Sequence, residues 1–275
     1  RKESSAASDV YKRQLYGCGS SVSPVDQGLI DQVMHIGNGS EPQGLDPHIV
    51  TGVPEHHLLI TMCEGLTISN PKGGANLPGM AESWEISEDG KTYIFNIRKD
   101  AKWSNGDDFV ADDMVWSWMR VLTPSLGSQY PDMLYYVEGA EDFNTGVTDD
   151  FSKVGVKALD EKTLEVKLNN PTPFFLGLLS HYSTWPVHKD TVLEYGEIDD
   201  RQGLWTRPGA FVCNGPMNLK SWELNKKIIV EKNPLYWDAD EVKLSQMHFY
   251  PVSDINTEER MFRAGQLHLT STVPS

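Results

Sequence analysis

Apolar and polar residues alternate along residues 82–86 and again along residues 91–98, with Asp89-Gly90 between the two runs. A period of two marks a strand buried mainly on one face. Asp-Gly between two such runs is the strongest short hairpin signal, because glycine takes positive φ without a Cβ penalty. The pattern predicts a hairpin whose return strand places Tyr93, Phe95 and Ile97 on one face and Thr92, Ile94 and Asn96 on the other. A further turn is predicted at Ser104-Asn105-Gly106. The period then changes. Val115, Trp118, Met119 and Leu122 recur at spacings of three and four, which predicts an amphipathic helix over residues 111–122. Asp112 and Asp113 fall in its first turn, where the helix dipole favours acids.

The same reading gives a strand over 32–37, an irregular Gly/Pro-rich connection over 38–55 and a helix over 56–66. It continues with a helix over 132–143, a hairpin of 154–159 and 163–168 about Asp160-Glu161, and a short apolar helix over 173–182. A strand at 185–187, a helix at 189–195, strands at 227–231 and 247–250 and a helix at 255–264 follow. Strands interleaved with helices point to the α/β class.

Composition narrows the function classes. The chain has 275 residues, enough for one or two domains, and 39% hydrophobic with 23% charged residues fits a globular protein. A formal net charge of −15 and the absence of any Lys/Arg run argue against a nucleic-acid partner. No run of about 18 apolar residues is present. Cys18, Cys63 and Cys213 lack C-x-x-C spacing, so no zinc site and no cofactor is expected. Cys63 and Cys213 sit among apolar residues and read as buried thiols, with a Cys63–Cys213 disulfide left open because sequence supplies no distance. Adjacent His56 and His57 point in different directions on a helix and read as capping or surface groups. An enzyme is not expected: there is no G-x-S-x-G elbow, H-E-x-x-H pair or Cys–His nucleophile pair, and the loop Asn70-Pro71-Lys72-Gly73-Gly74 lacks phosphate-loop spacing.

The order A-E-S-W-E, D-G-K-T-Y-I-F-N-I-R-K-D-A-K-W-S-N-G and a D-D-x-V-x-S-W-x-R helix, running from Ala81 to Arg120, resembles the family 5 extracellular solute-binding proteins. These are the oligopeptide- and dipeptide-binding components of ATP-binding-cassette importers. Further matches are E-P-x-x-L-D-P-H at residues 41–48, G-V-P-E at 52–55, G-V-K-A-L-D-E-K-T-L-E-V-K-L at 155–168, N-G-P-M-N-L-K-S-W at 214–222 and N-P-L-Y-W at 233–237. The resemblance covers residues 32–275. It implies a periplasmic-binding-protein type II-like lobe, a mixed sheet with flanking helices, built from 32–66 and 185–275 and interrupted by an inserted α+β subdomain at 67–184. Family members close a second lobe over the ligand. The chain is expected to stop where that lobe begins and so to be a truncated two-lobe clamp with the second lobe absent. Residues 1–31 are expected to be an assembly scar, polar over the first fourteen residues, followed by a tether. Within it Leu15-Tyr16-Gly17-Cys18 resembles the end of a lipoprotein signal, making Cys18 a candidate lipid anchor; an ordinary tail cysteine is the other reading.

In the resembled family the segment around residues 38–55 crosses the mouth of the ligand cleft, and its backbone pairs with an extended ligand as an added strand would. That implies Thr51, Gly52 and Val53 at the ligand, with Gly52 allowing close backbone approach. Thr51 stands where some relatives carry an acid. Tyr130, after Ser128-Gln129, matches a tyrosine that closes over the ligand, with core packing as the alternative. His181 either faces the cleft or is an ordinary surface histidine. The implied partners are a peptide, the permease and ATPase subunits, and a membrane surface through Cys18; the implied state is a monomer in the periplasm or another extracytoplasmic space. The alternative within the family is a different solute: a sugar, a metal chelate or haem.

Overall fold

A computed structural model describes residues 22–274; the expectations for residues 1–21, Cys18 among them, lie outside the described residues. In chain order the elements are α1 (Pro24–Asp31), β1 (Val33–Gly37), α2 (Val53–Met62), β2 (Thr67–Ile68), β3 (Leu77–Pro78), β4 (Ala81–Ile86), β5 (Thr92–Ile97), α3 (Ala111–Leu122), α4 (Ala140–Asn144), β6 (Val156–Asp160), β7 (Thr163–Lys167), α5 (Phe175–Leu178), α6 (Lys189–Tyr195), β8 (Met217–Glu223), β9 (Lys227–Lys232), β10 (Gln246–Tyr250) and α7 (Ile255–Arg263). The Asp-Gly hairpin forms as its pattern predicts. Trp84 faces Phe95 and Ile86 faces Tyr93 across an antiparallel ladder, and Gly90 takes φ +68 in the turn.

Two four-stranded sheets organise the chain. The order β4-β5-β7-β6 is wholly antiparallel. The order β1-β10-β9-β8 is mixed, with β1 parallel to β10 and the other pairs antiparallel. The chain leaves the mixed sheet after β1, builds the antiparallel sheet, and returns at β8. Each sheet has its own apolar core. Tyr93, Phe95, Ile97, Leu164 and Val166 face Met114, Trp118 and Val121 of α3 in one. In the other, Ile36, Ile228, Val230 and Phe249 pack against Leu58, Leu59 and Met62 of α2.

Helix α3 has the predicted limits but not the predicted single apolar stripe. Met114, Trp118, Val121 and Leu122 are buried in the antiparallel core, while Val115 and Met119 are half-buried. Trp116, on another face, is buried with Val187, Val192 and Trp205. The helix is therefore enclosed on more than one side. Asp113 starts it by accepting from the Val110 N–H at 2.9 Å and from Trp103 Nε1 at 3.0 Å, satisfying a donor that the first turn leaves open.

Several expectations are corrected, each for a local reason. Residues 24–31, expected within a tether, form α1, because Ser23 accepts from the Asp26 N–H at 3.1 Å and Pro24 presets the first turn. The helix expected at 56–66 runs from Val53 to Met62, with Pro54 in its first turn. The helix expected at 132–143 breaks into a 3-10 turn at Pro131–Leu134 and α4, with Gly139 at φ +69 between them. Edge pairing competes here: Glu138 N–H donates to Lys167 O at 2.9 Å and Asn169 N–H to Tyr136 O at 2.9 Å. The helix expected at 173–182 is the single turn α5. No strand forms at 185–187, because side chains take up its backbone: Val187 N–H donates to Ser117 Oγ at 2.9 Å and His48 Nε2 pairs with Trp185 O at 2.9 Å. Cys63 and Cys213 are buried free thiols.

Gly65 lies where the chain passes from one sheet to the other, and a Cβ there would meet Leu179 O at 2.6 Å and the Trp185 ring. Gly65→Ala is expected to destabilise the chain by about 1–3 kcal/mol through overpacking, read from the urea midpoint.

Candidate functional site

The Gly/Pro connection between β1 and α2 ends in an exposed edge of backbone. Gly52 is extended, with φ −84 and ψ 155, and caps α2 with no side-chain bond. Val53 is 65% exposed and Thr51 is exposed. Among the described residues, no hydrogen bond uses the N–H of Thr51, Gly52 or Val53. Free N–H groups in extended geometry are what strand-like addition of another backbone requires. A side chain at Gly52 would collide with Glu55 Oε2. The need for glycine here therefore arises inside the protein. Glu55 is itself buried, and its Oε1 accepts from the Gln43 N–H at 2.6 Å. Two cavities adjoin the edge: one of about 230 Å³ lined by Thr51, Gly52 and Glu55 together with Arg201 and Arg207, and one of about 410 Å³ lined by Val53, Pro54 and His57.

Tyr130 and His181 come together. Their rings lie edge-on with centroids 5.3 Å apart, and Tyr182 stands beside both, 4.2 Å from His181 and 6.5 Å from Tyr130. Tyr182 also meets His56 on α2 at 5.7 Å, so the cluster reaches the helix that begins at Val53. Tyr130 is half-buried against the mixed-sheet core, so it packs while keeping an open face. His181 caps the turn Tyr182–Thr184, its Nδ1 accepting from the Ser183 N–H at 3.2 Å. Burial, and then His56, lowers its pKa; burial, and then His57, lowers that of His56. Both shifts favour the neutral imidazole. His57, read as a surface or capping group, is half-buried and pairs through Nδ1 with Asn38 Oδ1 at 3.1 Å.

The residues that hold this edge in place were not singled out in the sequence. Arg120 on α3, fully buried, forks onto Asp46 with Nη1–Oδ1 at 3.0 Å and Nη2–Oδ2 at 2.6 Å. Its Nη1 also meets His48 Nδ1 at 3.0 Å, and His48 Nε2 lies 2.9 Å from Trp185 O. Nδ1 therefore accepts from the guanidinium and Nε2 carries the proton. Burial, followed by Arg120, lowers His48 to about 4, which keeps it neutral in this role. The signal was present: an arginine among apolar helix positions and an L-D-P-H run, both inside matched motifs.

The mixed sheet thus leads through an irregular segment to an exposed backbone edge. The sequence model for bacterial extracellular solute-binding proteins, family 5 Middle, matches residues 77–275, and the chain belongs to this family. It is similar to the periplasmic oligopeptide-binding protein OppA of Escherichia coli (strain K12), with 40% identity over 239 residues, 85% of this chain and 42% of the relative. It is also similar to the dipeptide-binding protein DppE of Bacillus subtilis (strain 168), with 36% identity over 271 residues, 95% of this chain and 48% of the relative. Among solved structures, Haemophilus influenzae OppA in complex with RPPGFSPFR matches with a TM-score of 0.83 at 37% identity, over 89% of this chain and 47% of that one. The chain spans less than half the length of these relatives.

Asp46→Ala is expected to lower stability by about 3–5 kcal/mol, because it strands the Arg120 charge in the interior; chemical denaturation reads this directly. His48 adds a pH dependence. Its folded pKa of about 4 lies below the ordinary 6.5, so its contribution is complete above about 6.5 and is lost as the pH falls towards 4. His48→Gln is expected to flatten that part of the melting-temperature profile.

Proposed function

We propose that this chain belongs to the substrate-binding component of an ATP-binding-cassette peptide importer, which captures extended oligopeptides outside the cytoplasmic membrane and delivers them to the permease. The observation that carries this reading is the exposed edge formed by Thr51, extended Gly52 and Val53, the first residue of α2, whose N–H groups have no partner among the described residues. An incoming peptide backbone supplies the missing acceptors, and the cavities adjoining the edge admit its alternating side chains. Tyr130 and His181 form a neutral aromatic wall nearby, suited to apolar contact without a demand for one charge. The similarity to oligopeptide- and dipeptide-binding relatives supports the same ligand class.

In this reading residues 32–66 and 185–275 belong to the first lobe, and residues 67–184 are an inserted subdomain. A second lobe closes over the peptide, because only the closed state makes both sets of contacts. The work is binding and release, with no catalytic step. The protein acts as a monomer in the periplasm or another extracytoplasmic space, and Cys18 is its candidate lipid anchor.

Native mass spectrometry of the chain extended to the length of its relatives, offered a mixture of di- to hexapeptides, tests the reading. Retention of peptides of many sequences supports it; retention of only a sugar, metal chelate or haem overturns it. Val53→Pro removes one N–H from the edge at a helix position that tolerates proline. It is expected to weaken peptide affinity roughly tenfold, the worth of one hydrogen bond, while the thermal melt stays unchanged.

A further inference from the structure

The cavity of about 230 Å³ beside Thr51 and Gly52 has two arginines in its wall. Both come from the stretch between α6 and β8. Arg201 is already engaged: its Nη1 donates to Leu126 O and to Gly127 O, the second at 3.0 Å. Arg207 is not. It closes the 3-10 turn Leu204–Thr206, its N–H donating to Leu204 O at 3.2 Å. Its carbonyl accepts from the Ala210 and Phe211 N–H groups, both at 3.0 Å. Its guanidinium lies over the Trp222 ring of β8, 4.9 Å from the centroid. Trp222 is held in turn, its Nε1 donating to Glu41 Oε1, while Glu41 Oε2 accepts from the Asn225 N–H at 2.8 Å. Backbone and aromatic platform thus fix where this exposed guanidinium stands. Among the described residues its N–H groups have neither a hydrogen-bond acceptor nor an ion-pair partner.

We infer that this cavity is a subsite for a carboxylate of the bound peptide, with Arg207 as the residue that selects it. The subsite deepens the peptide reading and rests on it. A volume of about 230 Å³ falls below the roughly 300–1,000 Å³ of pockets that hold a whole small molecule. It suits one side chain, or one end, of a ligand laid along Thr51 to Val53. Of the acids in its wall, Asp46 is already forked by Arg120. Glu55 opposes an anion, but it is buried and its Oε1 accepts from the Gln43 N–H at 2.6 Å. Glu41, beyond the wall, has both oxygens taken by Trp222 and Asn225. Against these two acids stand two exposed guanidinium groups, and Arg207 has its whole fork to give. A carboxylate accepts that fork through two parallel hydrogen bonds, which a neutral amide does not reproduce. The net charge of −15 disfavours an acidic ligand at long range. That field is screened within about 10 Å at ordinary salt, whereas the guanidinium acts in direct contact.

Calorimetric titration of the chain extended to the length of its relatives tests it. The probes are tetra-alanine peptides carrying Glu at each position in turn, the matching Gln peptides, and both sets with free or amidated C-termini. At one position Glu is expected to bind about tenfold more tightly than Gln, the worth of one charge-assisted hydrogen bond. A preference that persists on amidation assigns the carboxylate to a side chain; a tenfold loss on amidation in its place assigns it to the ligand's C-terminus. Arg207→Gln is expected to abolish whichever ratio is found. Arg207→Lys, which keeps the charge but not the fork, is expected to restore only part of it. Thermal melts of both variants confirm that the fold is intact. Equal binding of Glu, Gln, free and amidated peptides, or a ratio that survives Arg207→Gln, would overturn the subsite and leave the peptide reading standing. Failure of every peptide to bind would overturn both.

Discussion

The fork between Arg120 and Asp46 is the interaction on which the rest of the structure depends. Taking a guanidinium and a carboxylate out of water is expensive, and their attraction offsets that only when both partners are well hydrogen-bonded. Here the geometry is bidentate, His48 takes a further N–H, and the Asp200 carbonyl takes another at 3.3 Å, leaving the buried Nε as the guanidinium donor without a partner among the described residues. The connection between β1 and α2 is rich in Gly and Pro and cannot hold itself in place through secondary structure. Asp46 and His48 fasten it to α3, a helix fixed in turn by the core of the other sheet. The edge at Thr51, Gly52 and Val53 therefore sits on an irregular segment anchored like part of a regular one.

The joints between the sheets share a design. The two cores are separate apolar clusters, and apolar contact alone has little directional preference. Direction comes from polar groups at the boundary: Arg120 reaching Asp46, Glu64 reaching Tyr236 and Trp237, Trp118 Nε1 donating to Thr184 O, and the Asn214 amide closing the Glu64 backbone. Each would be left unpaired if one sheet slid over the other, and a buried unpaired polar group is costly. This boundary sets where Tyr130 and His181 stand relative to the start of α2.

Elements governed by local chemistry were legible in the sequence. The Asp89-Gly90 hairpin, the limits of α3 and α6, and strands β6, β7, β9 and β10 follow from turns and periodicity, whereas β8 lay inside a matched motif and was not read as a strand. Misreadings arose where distant partners decide the backbone. The Trp185 segment is extended but makes no ladder, because Ser117 and His48 take its hydrogen bonds. The 132–143 stretch has helical composition, yet pairing with the Lys167 end of β7 interrupts it between Leu134 and Ala140. Helix α1 was readable from Ser23-Pro24 but was hidden by a preceding tail that invited a tether. For the candidate site, motif resemblance supplied Thr51, Gly52, Val53 and Tyr130, and His181 came from its place at the end of a short apolar stretch. Nothing local disclosed that Arg120, Asp46 and His48 meet, since that contact spans more than seventy residues of chain.

Residue-resolved amide hydrogen exchange at Gly52 and Val53, in the chain extended to the length of its relatives, tests the central claim most directly. The account expects fast exchange at both without ligand, since neither N–H has a partner among the described residues, and strong protection when a peptide is bound. Peptide binding that leaves both amides exchanging freely would contradict it, because the ligand would then be held without joining this backbone edge.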